Sequence, residues 1–220
     1  MKIESVTAYL FRIPLKTPFR ISVGEIRAKD GVVIRCRGEG LTGWGEAAVD
    51  LVPFYAHETC GSVMDLARHV LAPHIRARDW RSPEEFASSL DGIRGNHFAK
   101  AAFEAALWDL FGKAAGKSVA SMLRATRSTI ETGPSIGIKA TPAQTVAAVS
   151  QELEKGCRRI KLKVCPGFDL AYLEAVRRAF PRITLMADAN NAYTPEDFDH
   201  LAGFDRFNLL MVEQPLHESD

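Results

Sequence analysis

The sequence predicts an α/β protein in which an N-terminal α+β domain, residues 1–125, precedes an incomplete (β/α)8 TIM-type barrel, residues 126–220. Two observations lead to this prediction. The first part reads as short apolar strands followed by helical patterns, whereas from residue 131 onward strands and helices alternate. Regular βα alternation favours a parallel sheet, and the closed form most typical of such a sheet is the eight-stranded barrel.

The N-terminal domain is predicted to begin with a small antiparallel sheet. Its strands are expected at residues 3–13, 32–37 and 43–47, where apolar residues alternate. Helices are expected at residues 58–75, from Ser82 onward and at residues 97–115. In the last of these helices, apolar residues recur at three- and four-residue spacing, which predicts one buried face.

The second domain is predicted to contain four strands with three intervening helices. The strands are expected at residues 135–138, 159–164, 183–188 and 207–213, and the helices at residues 142–155, 169–180 and 195–201. A barrel closes with about eight strands, so four would leave two unpaired edges. We therefore expect either a longer natural protein with a C-terminal half, or a homo-oligomer that covers these edges.

Composition argues against nucleic-acid and membrane partners. The formal net charge is +1, and no run of like charges is present. No apolar run approaches the roughly 18 residues of a membrane span, and residues 1–11 do not form a signal-peptide pattern. The four cysteines form no Cys-x-x-Cys pair, so we expect reduced thiols and a cytoplasmic protein.

Two lysines lie on one face of the second barrel strand. In Ile160-Lys161-Leu162-Lys163-Val164, the two-residue period sends the apolar side chains to one face and both lysines to the other. In a barrel the apolar face meets the helices, so both ammonium groups would point inward, where lysine needs a partner. The alternative is an edge strand whose lysines are solvated.

Carboxylates end the next two strands. Asp188 is followed by Ala189-Asn190-Asn191, and Glu213 is followed by Gln214-Pro215. A βα barrel builds its active site at the C-terminal ends of its strands. Asp188 could instead be a helix N-cap, but Thr194-Pro195 is the better cap and first-turn pair. Two carboxylates near two lysines favour an oxygen site for a hard cation beside a possible base.

The spacing of these motifs resembles the enolase superfamily. Asp-Ala-Asn begins 25 residues after Lys163, and Glu-Gln-Pro begins 25 residues after Asp188. Within that superfamily, the motifs are similar to those of the muconate-lactonizing-type branch and, within it, of the o-succinylbenzoate synthase/N-succinylamino-acid racemase group. The resemblance extends over the whole chain, including an N-terminal capping domain with Thr17-Pro18-Phe19-Arg20 and Gly43-Trp44-Gly45-Glu46-Ala47.

The resemblance implies a role for seven residues. Lys163 would be the acid/base and Lys161 its electrostatic companion, Asp188 and Glu213 would bind Mg²⁺ (or Mn²⁺), Ser135 and Asn190 would lie near the substrate, and Phe19 would lie on a capping loop over the pocket. In the family, a third metal carboxylate and a second lysine follow on later strands. The residues 1–220 do not include those strands, so we expect an incomplete ligand set.

The implied activity is abstraction of the proton alpha to the carboxylate of a small substrate. The resemblance favours o-succinylbenzoate synthase dehydration in menaquinone biosynthesis, a carbon-oxygen lyase reaction. An N-succinylamino-acid racemase or a related epimerase is the alternative, since both share these motifs. A third possibility is an inactive truncated fragment.

Overall fold

The computed structural model describes residues 1–217, so residues 218–220 of the second predicted domain lie outside the described residues. The chain divides into two units. The first comprises Met1–Pro14 and Ala28–Ser128, and the second comprises Leu15–Arg27 and Thr129–Asp220. The segment Leu15–Arg27, here called the hairpin tip, therefore belongs with the second unit. The boundary between residues 125 and 126 stays a prediction.

The first unit contains the predicted antiparallel sheet. Its strands are β1 (Ser5–Ile21), β2 (Gly24–Gly38) and β3 (Leu41–Ala47), in the order β1-β2-β3. Strands β1 and β2 are longer than predicted. In β1, Pro14 and Pro18 interrupt the apolar alternation without ending the strand. Proline is tolerated there since β1 lies at the edge of this sheet.

The helices of this unit up to residue 115 follow the predicted order, and the short helix after them was not predicted. They are α1 (Cys60–Leu66), a π-helical turn (Ala67–Leu71), α2 (Ala72–Arg76), α3 (Pro83–Ser89), α4 (His97–Ala115) and α5 (Val119–Met122). Helix α4 packs directly on β3, because a Cβ at Gly43 or Gly45 would overlap the backbone oxygen of Ala106 or Ala102. The two glycines of Gly43-Trp44-Gly45 thus allow the close approach of helix and sheet.

The start of α4 is capped by a carboxylate from outside the helix. Asn96, at the N-cap position, has a left-handed backbone and makes no side-chain cap bond. Instead Glu58, which is 3% exposed, accepts hydrogen bonds from the backbone N–H groups of Phe98 at 2.9 Å and Ala99 at 3.0 Å. A buried carboxylate at a helix N-terminus also interacts favourably with the helix dipole.

Replacing Glu58 with alanine should lower the free energy of unfolding by roughly 2–4 kcal/mol, because two N–H groups lose a charged acceptor. Urea unfolding at pH 7 measures the change. Glu58→Gln keeps one oxygen acceptor and should cost less. Equal stability of the Glu58→Ala and Glu58→Gln variants would contradict the capping role.

The second unit contains a parallel sheet with helices between its strands, as predicted. In the described residues its strands are β4 (Ser135–Ile136), β5 (Arg159–Lys163), β6 (Thr184–Asp188) and β7 (Val212–Glu213), in the order β4-β5-β6-β7. The helices are α6 (Pro142–Glu154), α7 (Leu170–Ala179) and α8 (Phe198–Ala202), with 3-10 turns at Pro195–Asp197 and Asp205–Phe207. Across residues 1–217, no helix has both the length and the apolarity that a membrane crossing needs.

The fourth strand is shorter than the predicted residues 207–213. Phe207 ends a 3-10 turn, and Asn208 has a left-handed backbone. The guanidinium of Arg177 donates hydrogen bonds to the carbonyls of both residues, at 2.9 Å and 3.2 Å. These carbonyls are therefore directed toward α7, which the apolar pattern of the strand does not reveal.

Strand β5 lies inside the described sheet, between β4 and β6. Ile160, Leu162 and Val164 are at most 2% exposed and pack in the core of this unit, so the lysines between them face the other side. The two-residue period is confirmed, and the alternative of an edge strand with solvated lysines is wrong.

Candidate active site

The candidate site lies where β5, β6 and β7 end. Lys163 pairs in register with Asp188, and Asp188 pairs in register with Glu213. Parallel strands bring their carboxyl ends to the same edge of a sheet, so three residues that lie far apart in the sequence become neighbours. The structure thus brings together Lys161, Lys163, Asp188 and Glu213, as the sequence predicts.

Both lysines contact the same carboxylate oxygen. Lys163 Nζ lies 2.7 Å and Lys161 Nζ 2.9 Å from Asp188 Oδ2. Lys161 Nζ also lies 2.9 Å from Glu213 Oε2. The Asp188 side chain is 1% exposed, so a buried negative charge holds two ammonium groups close together.

These ion pairs shift two pKa values. Burial alone would raise the pKa of Asp188, but hydrogen bonds from Lys163 and Lys161 outweigh it and hold the pKa below its usual range. Burial alone would lower the pKa of Lys161, but hydrogen bonds to Asp188 and Glu213 outweigh it, and the pKa is raised. Lys161 is therefore a stable positive charge beside Lys163.

Asn190 contacts the predicted base directly. Its Oδ1 accepts a hydrogen bond of 2.6 Å from Lys163 Nζ, and the residue is 4% exposed. The family resemblance implies that Asn190 lies near the substrate, which stays a prediction, and the structure adds this contact with the lysine. Ser135 lies on β4 of the same parallel sheet, where it pairs in register with Lys161, and it is exposed.

The hairpin tip lies beside this edge of the sheet. The carbonyl of Arg20 accepts a 2.9 Å hydrogen bond from the Ile138 N–H, and Ser22 Oγ donates to the Asn190 carbonyl at 3.1 Å. A Cβ at Gly137 would lie 2.9 Å from the Arg20 oxygen and 3.2 Å from Phe19 Cδ2, so glycine permits this approach. Phe19 thus lies near the end of β4, while its role at a pocket stays a prediction.

Sequence reasoning missed two neighbours of Asn190. Gln214 Oε1 accepts a hydrogen bond of 3.1 Å from Asn190 Nδ2, and Ser22 binds the Asn190 carbonyl. The place of Gln214 in Glu-Gln-Pro, directly after a predicted ligand, was an available signal. Ser22 lies 168 residues from Asn190 in sequence, so no local pattern reveals its contact.

A buried polar cluster supports the loop that follows β6. Asp169, which is 5% exposed, accepts hydrogen bonds from the Tyr193 hydroxyl at 2.8 Å and the Leu170 N–H at 2.6 Å. His200 Nε2 lies 2.7 Å from the same carboxylate. Burial, together with the bond to Asp169, raises the pKa of Tyr193. The loop from Asp188 to Tyr193 is therefore held at its far end.

Tyr193→Phe should lower the free energy of unfolding by about 1–3 kcal/mol at pH 7, since Asp169 loses a buried donor. Because the pKa of Tyr193 is raised in the folded state, its hydroxyl contributes folding stability below the pKa of an unfolded tyrosine, about 10, and this contribution is lost as the pH rises. Urea unfolding at pH 7 and about pH 11 should therefore show the gap between wild type and variant narrowing at high pH. Tyr9→Phe, at an exposed position, is the control, and an unchanged gap would contradict this reasoning.

The carboxylates partly fit the metal site that the sequence predicts. Asp188 Oδ2 and Glu213 Oε2 both lie 2.9 Å from Lys161 Nζ, so the two oxygens already converge on one positive charge. Oxygen donors of this kind suit Mg²⁺. Among residues 1–217, no group of three or more His, Cys, Asp or Glu side chains is arranged to hold a metal ion. These residues thus fit as two ligands of a larger set.

Two family models match the chain. The model described as the N-terminal domain of mandelate racemase / muconate lactonizing enzyme matches residues 5–123. The model described as enolase C-terminal domain-like matches residues 144–220. The second match contains Lys161, Lys163, Asp188 and Glu213.

Two of the curated relatives that match this chain carry different names. The chain is 40% identical to an o-succinylbenzoate synthase of Listeria innocua over 94% of its length. It is 39% identical to an N-succinylamino acid racemase of Thermus thermophilus over 100% of its length. It spans 56% of the first relative and 60% of the second.

Solved structures share the fold. A crystal structure of an enolase-superfamily member from Listeria innocua has a TM-score of 0.94 and 38% identity, covering 100% of this chain and 60% of that one. A dipeptide epimerase from Enterococcus faecalis, complexed with Mg and a dipeptide, has a TM-score of 0.86 and 27% identity, covering 100% of this chain and 63% of that one.

Proposed function

We propose that this chain removes the proton alpha to the carboxylate of a small substrate, because it belongs to the mandelate racemase and muconate lactonizing enzyme family of the enolase superfamily. The observation that carries the proposal is the contact set of Lys163. Its side chain is 11% exposed, and its ammonium lies 2.7 Å from Asp188 and 2.6 Å from Asn190. A lysine held by two defined partners is suited to proton transfer at one defined point.

Four residues share the work in this proposal. The Lys163 ammonium first gives a proton to water, the neutral amine then accepts the alpha proton, and the ammonium formed in that step returns the proton as acid. Lys161 stays protonated and adds positive charge beside the substrate carboxylate. Asp188 and Glu213 would hold Mg²⁺ (or Mn²⁺), which supplies positive charge to the carboxylate oxygens as the alpha carbon loses its proton. A lysine base beside Mg²⁺ is the established arrangement of enolase-superfamily sites in general.

The dehydration of o-succinylbenzoate synthase is our first choice of reaction. It needs a single lysine that removes the alpha proton and then protonates the departing hydroxyl. The lysine pair on β5 supplies this group on one face of the substrate. The identity of 40% to a relative named o-succinylbenzoate synthase supports this choice, and it would place the protein in menaquinone biosynthesis.

Racemisation of an N-succinylamino acid is the second candidate. It is favoured by the 39% identity to a relative named N-succinylamino acid racemase. Racemisation needs acid/base groups on both faces of the alpha carbon, whereas Lys161 and Lys163 project from one strand. A second base would therefore have to come from a residue other than these two lysines.

A direct assay of the full-length protein tests the proposal. The cyclohexadiene carboxylate substrate is followed for loss of water, and an N-succinylamino acid is followed by NMR in D₂O for exchange of its alpha proton. We expect Mg²⁺-dependent turnover in at least the first assay. Dehydration without exchange of the amino acid supports the first choice, and exchange with racemisation supports the second. Absence of both reactions in the presence of Mg²⁺ would refute the proposed function.

A further inference from the structure

The amide of Asn190 has only one useful orientation. A lysine ammonium carries donors alone, so the atom that faces Lys163 Nζ at 2.6 Å must be the Asn190 oxygen. The amide nitrogen then points away and needs an acceptor. Gln214 Oε1 provides it at 3.1 Å. A chain of two hydrogen bonds thus runs from Gln214 through Asn190 to Lys163.

Asn190 and Gln214, the two amide residues of this hydrogen-bond chain, both have a left-handed backbone. Asn190 has φ 45° and Gln214 has φ 46°, which are left-handed conformations that favour glycine. Such residues persist where surrounding contacts enforce them, and they concentrate at functional sites. Here two backbone hydrogen bonds join the loops, from Ala189 N–H to the Glu213 carbonyl at 3.0 Å and from Asn191 N–H to the Gln214 carbonyl at 2.8 Å.

We infer that Gln214 is a positioning residue for Lys163, acting through the Asn190 amide. This inference rests on the proposed function, in which Lys163 transfers the proton. An acceptor at position 214 keeps the Asn190 oxygen toward the ammonium and holds Nζ at the end of β5. Without that acceptor, the amide can rotate and turn its own donors toward the ammonium, which removes a partner of Lys163.

The central variant is Gln214→Met, which keeps the length of the side chain and removes the acceptor. In the full-length protein, kcat should fall about 10- to 100-fold with KM little changed. The substitution displaces the base and leaves the groups that bind the substrate in place. Gln214→Glu restores an acceptor and should recover most of the lost kcat. Gln151→Met, at an exposed position of α6, is the matched control and should match wild type.

A second measurement reads the position of Lys163 without turnover. In protein labelled with ¹³C-lysine, the Cε signal that is absent in Lys163→Arg reports the surroundings of the ammonium. It should shift in Gln214→Met and return toward the wild-type position in Gln214→Glu. Mg²⁺ affinity, measured by calorimetry, should be unchanged in Gln214→Met.

The outcomes separate the two proposals. A wild-type protein that turns over no substrate refutes the proposed function, while the lysine signal still tests the hydrogen-bond chain. An unshifted lysine signal in Gln214→Met overturns the positioning role, as does wild-type kcat. Weaker Mg²⁺ binding at unchanged lysine signal also overturns it, because Gln214 would then act through its neighbour Glu213. Failure of Gln214→Glu to restore kcat contradicts the need for an acceptor.

Discussion

Replacing Lys163 with alanine should lower turnover of the full-length protein by about 100- to 10,000-fold, the range that general acid–base groups contribute. The fold should survive, because Lys161 Nζ remains 2.9 Å from the same Asp188 oxygen and still pairs the buried carboxylate. Substrate kinetics and urea unfolding on the same samples measure the two effects. Loss of activity at near wild-type stability is the result that identifies a base.

The control for this variant is Lys155→Ala. Lys155 pairs with Glu152 on the surface of the second unit at 2.7 Å, and its side chain is 65% exposed. This substitution removes an ammonium of the same kind at a place where no chemistry is proposed. Turnover of the Lys163→Ala variant within about tenfold of wild type would exclude Lys163 as the acid/base, since acid–base groups contribute more than that.

Asp188→Asn is expected to weaken Mg²⁺ binding by more than about tenfold, since changes to outer-shell partners alone cost 10- to 100-fold. The substitution removes a charged oxygen and leaves two lysines around a neutral amide. Glu213→Gln should have a smaller effect on the fold, because Glu213 is the more exposed carboxylate and pairs with Lys161, whereas Asp188 pairs with both lysines. Calorimetric titration with MgCl₂ measures the affinity.

Acid unfolding provides a second test of Asp188. A carboxylate whose pKa is lowered in the folded state contributes stability above its unfolded pKa of about 3.9, and this stability is lost as pH falls through the folded value. Asp188→Asn should therefore lose less stability than wild type between about pH 5 and pH 2. Asp199→Asn, at an exposed position, is the control.

Equal Mg²⁺ affinity in Asp188→Asn and wild type would rule out the metal role.

The sequence was most informative where a local pattern has a single physical solution. The alternation around Lys161 and Lys163 allows one buried face, and the structure has it. Helix α4 occupies the predicted residues His97–Ala115, because its apolar spacing is helical and left-handed residues flank it. The carboxylates follow predicted strands, and parallel pairing then brings them together without further information.

Long-range contacts account for what the sequence could not predict. Glu58, which caps α4, lies 40 positions from Phe98 and 41 positions from Ala99 in the sequence. The hydrogen bond from Ser22 to Asn190 spans 168 positions. The largely apolar residues 207–213 predicted a full strand, but Arg177 binds the carbonyls of Phe207 and Asn208. In each case a polar side chain satisfies backbone groups of a distant segment, and neither partner has a local signature.

The placement of the hairpin tip affects how this protein can be divided. Because Leu15–Arg27 groups with the second unit while the flanking residues group with the first, the polypeptide passes between the units more than once. A fragment that begins at Thr129 would lack the Arg20 carbonyl that pairs the Ile138 N–H. A chimera that joins part of this protein to part of a relative at a single junction would likewise take the hairpin tip from one parent and the strand ends from the other. Exchanging residues 15–27 together with residues 129–220 avoids that mismatch.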